Sequence, residues 1–413
     1  MALPLDDLQN FLLDLISTHR QVDGSRVSQL GKNDWEVVLS MVRQHRLGPL
    51  LHWRLGREKA DVPVPEDFRE ALTDSFRKAA LRALVMQREL LLLVRILGKA
   101  GIPCIALKGA YLAYTVYPHP ALRPLRDLDV LVAKDNALVA YQALIDGGCR
   151  RMTQYQGDPL ACIPLYAHLP PLRSPSDQVN VELHTQLLDC NAAQSTSVDE
   201  LGLWERRIER QVAGEFLSYL SPTDLLLYLI LHAVYRHRFD NGPLTLSDLR
   251  YLIRGTQINW PLFWRLADQG GWTRGCLLLL RMTQRYFGGM PIDFPDFALS
   301  EPEGVDALTA TCSSLTLSDF KSRGDARLAG TLAGKSIYQK LPVLLGKVFP
   351  PKAQIEASYP VSDYSLGICF GYLSNGARIL SKRVPEFFAN RRSVAFRSSV
   401  RKMAELDRWL MQS

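Results

Sequence analysis

Apolar positions recur at helical spacing through the first hundred residues. Leu5, Leu8, Leu12, Leu13 and Ile16 form one stripe. Trp35, Val38, Leu39 and Val42, followed by Leu47, Leu50 and Leu51, form another. From Glu66 to Leu97 the chain is rich in Ala, Leu, Arg and Glu and has no proline or glycine. Period and propensity both predict amphipathic helices here, with Pro63 and Pro65 breaking the chain before the long one.

The pattern changes at Gly101-Ile102-Pro103. Ile102–Leu107 and Leu128–Val132 are short apolar runs, and Ala110–Tyr117 between them is helix-like. Pro118, Pro120 and Pro124 predict a loop, and Asn136–Ile145 a helix closed by Gly147-Gly148. Arg151–Tyr155 and Ile163–Leu169 are further strand candidates. Val179–His184 alternates apolar and polar residues with the strand period of two. From about Leu201 the helical pattern returns. Ser221-Pro222-Thr223-Asp224 is a strong start signal for a helix through Leu225–Tyr235. Ser247–Ile253, Ile258–Phe287 and Leu328–Val348, the last interrupted at Pro342, continue the helical second half. The expected fold class is α+β: a small mixed sheet flanked by helical regions. The expected organisation is a helical part over residues 1–100, an α/β core over 101–190 and a helical part with a basic tail over 191–413.

Composition narrows the class. The chain has 413 residues and is 47% hydrophobic, enough for a sizeable core and too apolar for large-scale disorder. No apolar run approaches the roughly 18 residues of a spanning helix, and the start lacks a basic segment followed by an apolar one. The seven cysteines are scattered and never spaced C-x-x-C, which argues against a disulfide framework or a structural zinc site. A cytoplasmic location with reduced thiols is expected. The net charge of +7 permits polyanionic partners without requiring them. Residues 378–408 hold nine basic and three acidic residues with interleaved aromatics. That stretch reads as a solvated helix face or terminus, or as a surface for RNA or an acidic partner.

The candidate chemistry lies in two segments. Asp127 and Asp129, in Arg126-Asp127-Leu128-Asp129, are two apart at the start of an apolar run, so on a strand both carboxylates share a face. Paired carboxylates repel and need a cation, a shared proton or solvent; Mg2+ or Mn2+ suits hard oxygen donors. Glu182 stands on the polar face of a later strand and offers a third carboxylate, with His184 beside it. Lys108-Gly109 follows the first strand: the glycine permits close backbone approach, the lysine meets a phosphate as a point charge, and amides at the next helix start would add to anion binding. Arg123 and Arg126 either grip phosphates or neutralise the aspartates. His184 is more readily a structural histidine. His232 and His237, five apart, lie about 140° from each other on an α-helix and so do not share a face; structural roles suit them, although with Asp248 they could stand near the site. Ala329–Ser336 matches a relaxed phosphate-loop pattern, but the polar stretch before it is no strand, so the match is coincidental.

In these segments the chain resembles the uncharacterised bacterial nucleotidyltransferases of the polymerase-beta-like superfamily. The resemblance rests on Gly101–Pro118 with Leu107-Lys108-Gly109, on Arg123–Val132 with Asp127 and Asp129, and on Val181–His184. Leu229–His232, Asp248-Leu249 and Phe349-Pro350-Pro351 extend it. The chain departs at Ala110, where the superfamily has glycine or serine. The resemblance implies Asp127 and Asp129 as metal ligands and Glu182 as the third carboxylate and general base; the residue reading adds Lys108, Gly109, Arg123 and Arg126 as candidate nucleotide contacts. It implies a Mg2+-dependent (or Mn2+-dependent) enzyme that binds ATP or another nucleoside triphosphate. Such an enzyme moves a nucleoside monophosphate to a hydroxyl on a small molecule, a protein or a tRNA. The alternative expectation is a degenerate site in a binding or regulatory protein, possibly one that binds RNA.

Overall fold

The computed structural model describes residues 3–18, 22, 24–57, 62–153, 157–188, 202–296, 305–318, 329, 336–359, 365–383, 385 and 393–411. Helices α1 (Leu5–Ile16), α2 (Gly24–Gln29), α3 (Lys32–His45), α4 (Gly48–Arg57) and α5 (Glu66–Lys99) come first. Helix α5 starts where the prolines predict, with Glu66 and Asp67 in its first turn, where carboxylates complement the helix dipole. Leu12, Leu13, Ile16, Val38, Leu51, Phe68 and Leu90 are buried and join these helices to the rest of a single core.

One seven-stranded mixed sheet comes next. Its strands are β1 (Cys104–Ala106), β2 (Asp127–Val132), β3 (Arg150–Arg151), β4 (Leu172–Arg173), β5 (Asn180–His184), β6 (Ile208–Val212) and β7 (Glu215–Tyr219), in the order β3-β4-β5-β2-β1-β7-β6. Strand β2 at the centre runs antiparallel to β1 and parallel to β5. Helices α6 (Gly109–Tyr111), α7 (Ala137–Asp146) and α8 (Pro159–Cys162) punctuate the sheet. Helices α9 (Pro222–Leu231), α10 (Leu244–Gly255), α11 (Trp260–Gln269) and α12 (Thr273–Phe287) succeed it. Helices lie on both sides of the sheet, so the architecture is α+β as expected. Ser221 caps α9 by accepting from the Asp224 amide at 3.2 Å, ahead of Pro222.

Three local expectations are corrected. The strand expected over 163–169 is absent. Asp158 and Pro159 start α8 instead, and Pro164, Pro170 and Pro171 withhold amides from any ladder, so only His168 bridges to β5, at His184. The strand expected over 151–155 is the two-residue β3, with 154–156 outside the described residues. The helical return from Leu201 is preceded by the β6–β7 hairpin. That hairpin turns at Ala213-Gly214 with φ of 49° and 89°, the positive pair of a tight two-residue turn.

The helix expected over Ala110–Tyr117 is α6 continued by a π-turn at Leu112–Val116, closed by the Tyr117 amide donating to the Leu112 carbonyl at 2.9 Å. A second π-turn, His232–Arg236, continues α9. Residues 330–335 of the phosphate-loop match lie outside the described residues, while Ser336 caps the helix Ile337–Val348. The basic tail ends in the helix Val394–Leu410, which buries Phe396, Met403, Leu406 and Trp409. Among the described residues no helix is long and apolar enough to cross a membrane.

Candidate functional site

Register assembles the acids. In the parallel β2–β5 pair, Asp127 stands opposite Asn180, Asp129 opposite Glu182 and Leu131 opposite His184. Alternation then puts Asp127, Asp129, Glu182 and His184 on one face, while Leu128, Val130 and Val132 are buried on the other. The 50-odd residues that separate Asp129 from Glu182 in sequence are closed by this single pairing. His184, fully buried, sets its Nε2 2.8 Å from Asp129 Oδ1 and 3.5 Å from Glu182 Oε2. His168 Nε2 reaches Glu182 Oε2 at 3.7 Å from the bridge on β5. One ligand atom from each of Asp129, Glu182 and His184 falls within 4.8 Å of the others.

Lys108 enters from the end of β1. Its backbone has φ 47° and ψ −113°, a region that costs a non-glycine residue about 1–3 kcal/mol. Strain of this kind persists only where the surroundings hold it. Here the Leu107 amide donates to the Asp129 carbonyl at 3.0 Å, and the Lys108 ammonium sits 3.4 Å from Asp129 Oδ2. Gly109 is crowded from a side the sequence does not suggest. A Cβ there would stand 2.4 Å from Leu125 Cδ2, so the close approach is made by a protein side chain. The Ala110 amide donates to the Leu107 carbonyl at 3.2 Å and is thus already engaged.

These groups open into a cleft of about 320 Å3 whose remaining wall is strongly basic. Arg46, Arg123, Arg126 and Arg236 line it, together with His168, His232, His237 and Asp248. Arg123 is committed to the wall: its Nε donates to Asp248 Oδ1 at 2.7 Å, and the Tyr117 hydroxyl donates to the same oxygen at 2.7 Å. Arg126 is exposed at the rim. Arg46 comes directly after α3 in the left-handed conformation, φ 55°, which turns it back over the cleft. Its Nε is buried with no hydrogen-bond partner among the described residues. Sequence reading passes over Arg46, Arg236 and His168. Only the break of the apolar stripe at His45-Arg46 hints at the first.

The separation expected for His232 and His237 is also corrected. They lie in and just after the π-turn, where the His237 amide donates to the His232 carbonyl at 3.0 Å. The wider turn, i to i+5, brings residues five apart nearly into line. The ring centroids are 4.3 Å apart, and both line the cleft.

Electrostatics divide the two aspartates. Burial, then Asp129 and Glu182, push the Asp127 carboxyl up to about 6. Burial works against ionisation of Asp129 too, but the Lys108 ammonium and the hydrogen bond from His184 outweigh it and hold that carboxyl well below its usual range. Burial disfavours the Lys108 ammonium, yet Asp129 above all keeps it protonated beyond the ordinary lysine range. His184 is likewise raised by Asp129 against the effect of burial. His232 is held neutral, first by burial and then by Lys108 and His237. Burial, then Arg126 and Arg123, lower the Arg46 guanidinium. An Asp127 carboxylate with no ion pair or hydrogen bond among the described residues therefore shares the cleft with four guanidinium groups.

Asp129, Glu182 and His184 form the group close enough to share one metal ion; Asp127 is not in that group but lines the same cleft and offers a further oxygen donor of the kind a hard divalent cation takes. The basic wall offers planar donors that suit phosphate oxygens. In comparison with known proteins, the model of a family described as an uncharacterised nucleotidyltransferase matches residues 31–288. That span takes in every cleft residue, from Arg46 to Asp248. Among curated proteins no match is found.

Proposed function

Since this chain belongs to the uncharacterised nucleotidyltransferase family, we propose that it moves a nucleoside monophosphate from a nucleoside triphosphate to an acceptor hydroxyl, using Mg2+ held by Asp127, Asp129 and Glu182. The observation that carries this reading is the facing of three carboxylates and a guanidinium wall across one cleft of about 320 Å3. A cleft of that size is at the small end for organic ligands, and it suits a triphosphate with its reactive phosphorus between the two walls.

A bound divalent ion supplies charge neutralisation at the reacting phosphoryl group. The chain's own residues do the rest. Arg46, Arg126 and Arg236 draw the triphosphate in and balance its charge. Glu182, steadied by His168 and His184, accepts the proton of the acceptor hydroxyl. That oxygen then bonds to the α-phosphorus as the bond from the α-phosphorus to the bridging oxygen breaks, and pyrophosphate leaves. Asp248 holds Arg123 against the wall and also takes the Tyr117 hydroxyl, so Arg123 shapes the cleft.

Thermal shift with the four ribonucleoside triphosphates, with and without Mg2+, tests the reading. A ligand at a hundred times its Kd adds about 2.7 kcal/mol to apparent stability. A Mg2+-dependent rise with at least one nucleotide, lost in an Asp127→Asn/Asp129→Asn variant that still folds, is the expected result. No rise with any nucleotide would overturn it. The role given to Arg46 has its own test. Arg46→Met should weaken pyrophosphate binding about 10–100-fold, the worth of a hydrogen bond to a charged group. It should leave the thermal midpoint of the ligand-free protein unchanged or higher, because it removes a cation crowded by two others. Unchanged pyrophosphate affinity by titration calorimetry would remove Arg46 from the site.

A further inference from the structure

Each carboxylate oxygen of Asp129 already has one partner in the protein. Oδ1 lies 2.8 Å from His184 Nε2 and Oδ2 lies 3.4 Å from Lys108 Nζ. A carboxylate that bridges two divalent ions needs an oxygen for each. Here one of the two already faces a fixed positive charge.

The lysine is not free to swing away. Its side chain is 15% exposed and lies over the Tyr228 ring at 5.5 Å. Its backbone is pinned on both sides, by the Leu107 amide on the Asp129 carbonyl and by Gly109 beneath Leu125. Lys108 makes its contact with Asp129 from a backbone with a positive φ of 47°. Charge points the same way: one ammonium and one divalent ion together balance Asp127, Asp129 and Glu182.

We propose that the Lys108 ammonium is a built-in second cation, so that the site takes one divalent ion, on the Asp127 and Glu182 side of Asp129, where a pair of ions would otherwise bind. This rests on the nucleotidyltransferase reading of the cleft. It gives Lys108 a different task from the phosphate contact that its place beside Gly109 suggests: it stands against Asp129 Oδ2 and shuts the metal position there.

Mn2+ binding to the full chain tests this without any turnover. Mn2+ is titrated with and without α,β-methylene-ATP, and site-bound ions are those lost in Asp127→Asn. The wild type should bind one such Mn2+ per chain, with the sharp electron paramagnetic resonance lines of an isolated ion. Lys108→Asn, chosen because asparagine tolerates a positive φ, should bind two, with lines broadened by coupling between ions about 3.5–4 Å apart. Lys108→Arg should keep the single ion, and circular dichroism checks that each variant folds. A coupled pair in the wild type overturns the proposal and leaves the nucleotidyltransferase reading standing. A single ion in Lys108→Asn overturns it likewise. No site-bound Mn2+ in the wild type, with or without the nucleotide analogue, overturns both.

Discussion

Asp127→Asn is expected to slow pyrophosphate release from a nucleoside triphosphate by about 10^3-fold, the scale of losing a partner of the transition-state charge. It is also expected to make the metal-free protein more stable at pH 8. The two effects have one cause. Asp127 faces Asp129 and Glu182 at the buried end of the cleft with no hydrogen bond or ion pair among the described residues, and its carboxyl is pushed up to about 6. A free aspartate ionises near 3.9. A folded value above the unfolded one means that the folded protein holds the proton more tightly. The wild type therefore loses stability relative to the variant as pH rises from about 4 to about 6, and the gap stays constant above that. Thermal midpoints in chelator at pH 4, 6 and 8 would trace this. A variant less stable than the wild type at pH 8 would show that Asp127 has a stabilising partner after all. Mg2+ should reverse the order, stabilising the wild type alone.

Asp248→Ala should act on the fold, lowering the unfolding free energy by about 3–5 kcal/mol. That is the cost of breaking a buried ion pair by removing one member. The Asp248 side chain is 2% exposed and a single oxygen receives both Arg123 Nε and the Tyr117 hydroxyl. Truncation strands a guanidinium and a phenol together. It also unties three elements, because Tyr117 closes a π-turn, Arg123 precedes β2 and Asp248 lies on α10. Urea denaturation of the variant would measure the loss. The double variant Arg123→Met/Asp248→Leu should regain part of it, since no charge is then left unpaired. A loss below about 1 kcal/mol would mean that solvent reaches the pair in the folded state.

How much of this architecture is legible in the sequence depends on how local each determinant is. Strands β2 and β5 are legible because burial on one face and acids on the other write a period of two directly into the chain. The Asp127/Asp129 pair is legible with them. The long α5 and the capped α9 announce themselves by prolines, acids and Ser221. The β6–β7 hairpin is not legible: Glu209, Arg210 and Gln211 sit in succession on its outer strand, and Phe216 is 68% exposed, so no alternation marks it. Arg46 and His168 reach the cleft through a left-handed residue after α3 and an isolated bridge to β5, events that depend on the packed sheet. The relation of His232 to His237 is misjudged wherever α-helical geometry is assumed, because a π-turn forms there. The crossing of His184 over Asp129 also needs the β2–β5 register, which no spacing rule supplies.

The two π-turns carry a further consequence. Each fits one more residue into a turn than an α-helix would, at Leu112–Val116 and at His232–Arg236. Downstream of the first lies Tyr117, whose hydroxyl holds Asp248; within and after the second lie Arg236 and His237. Shortening either segment by a single residue would restore ordinary helical winding and rotate the downstream side chains by about 100°, turning these groups away from the phosphate path. In these two places the cleft is set by residue count. Ala113 and Val234 are buried and sensitive to size, but a substitution there leaves the count intact, while one deletion would dismantle the wall.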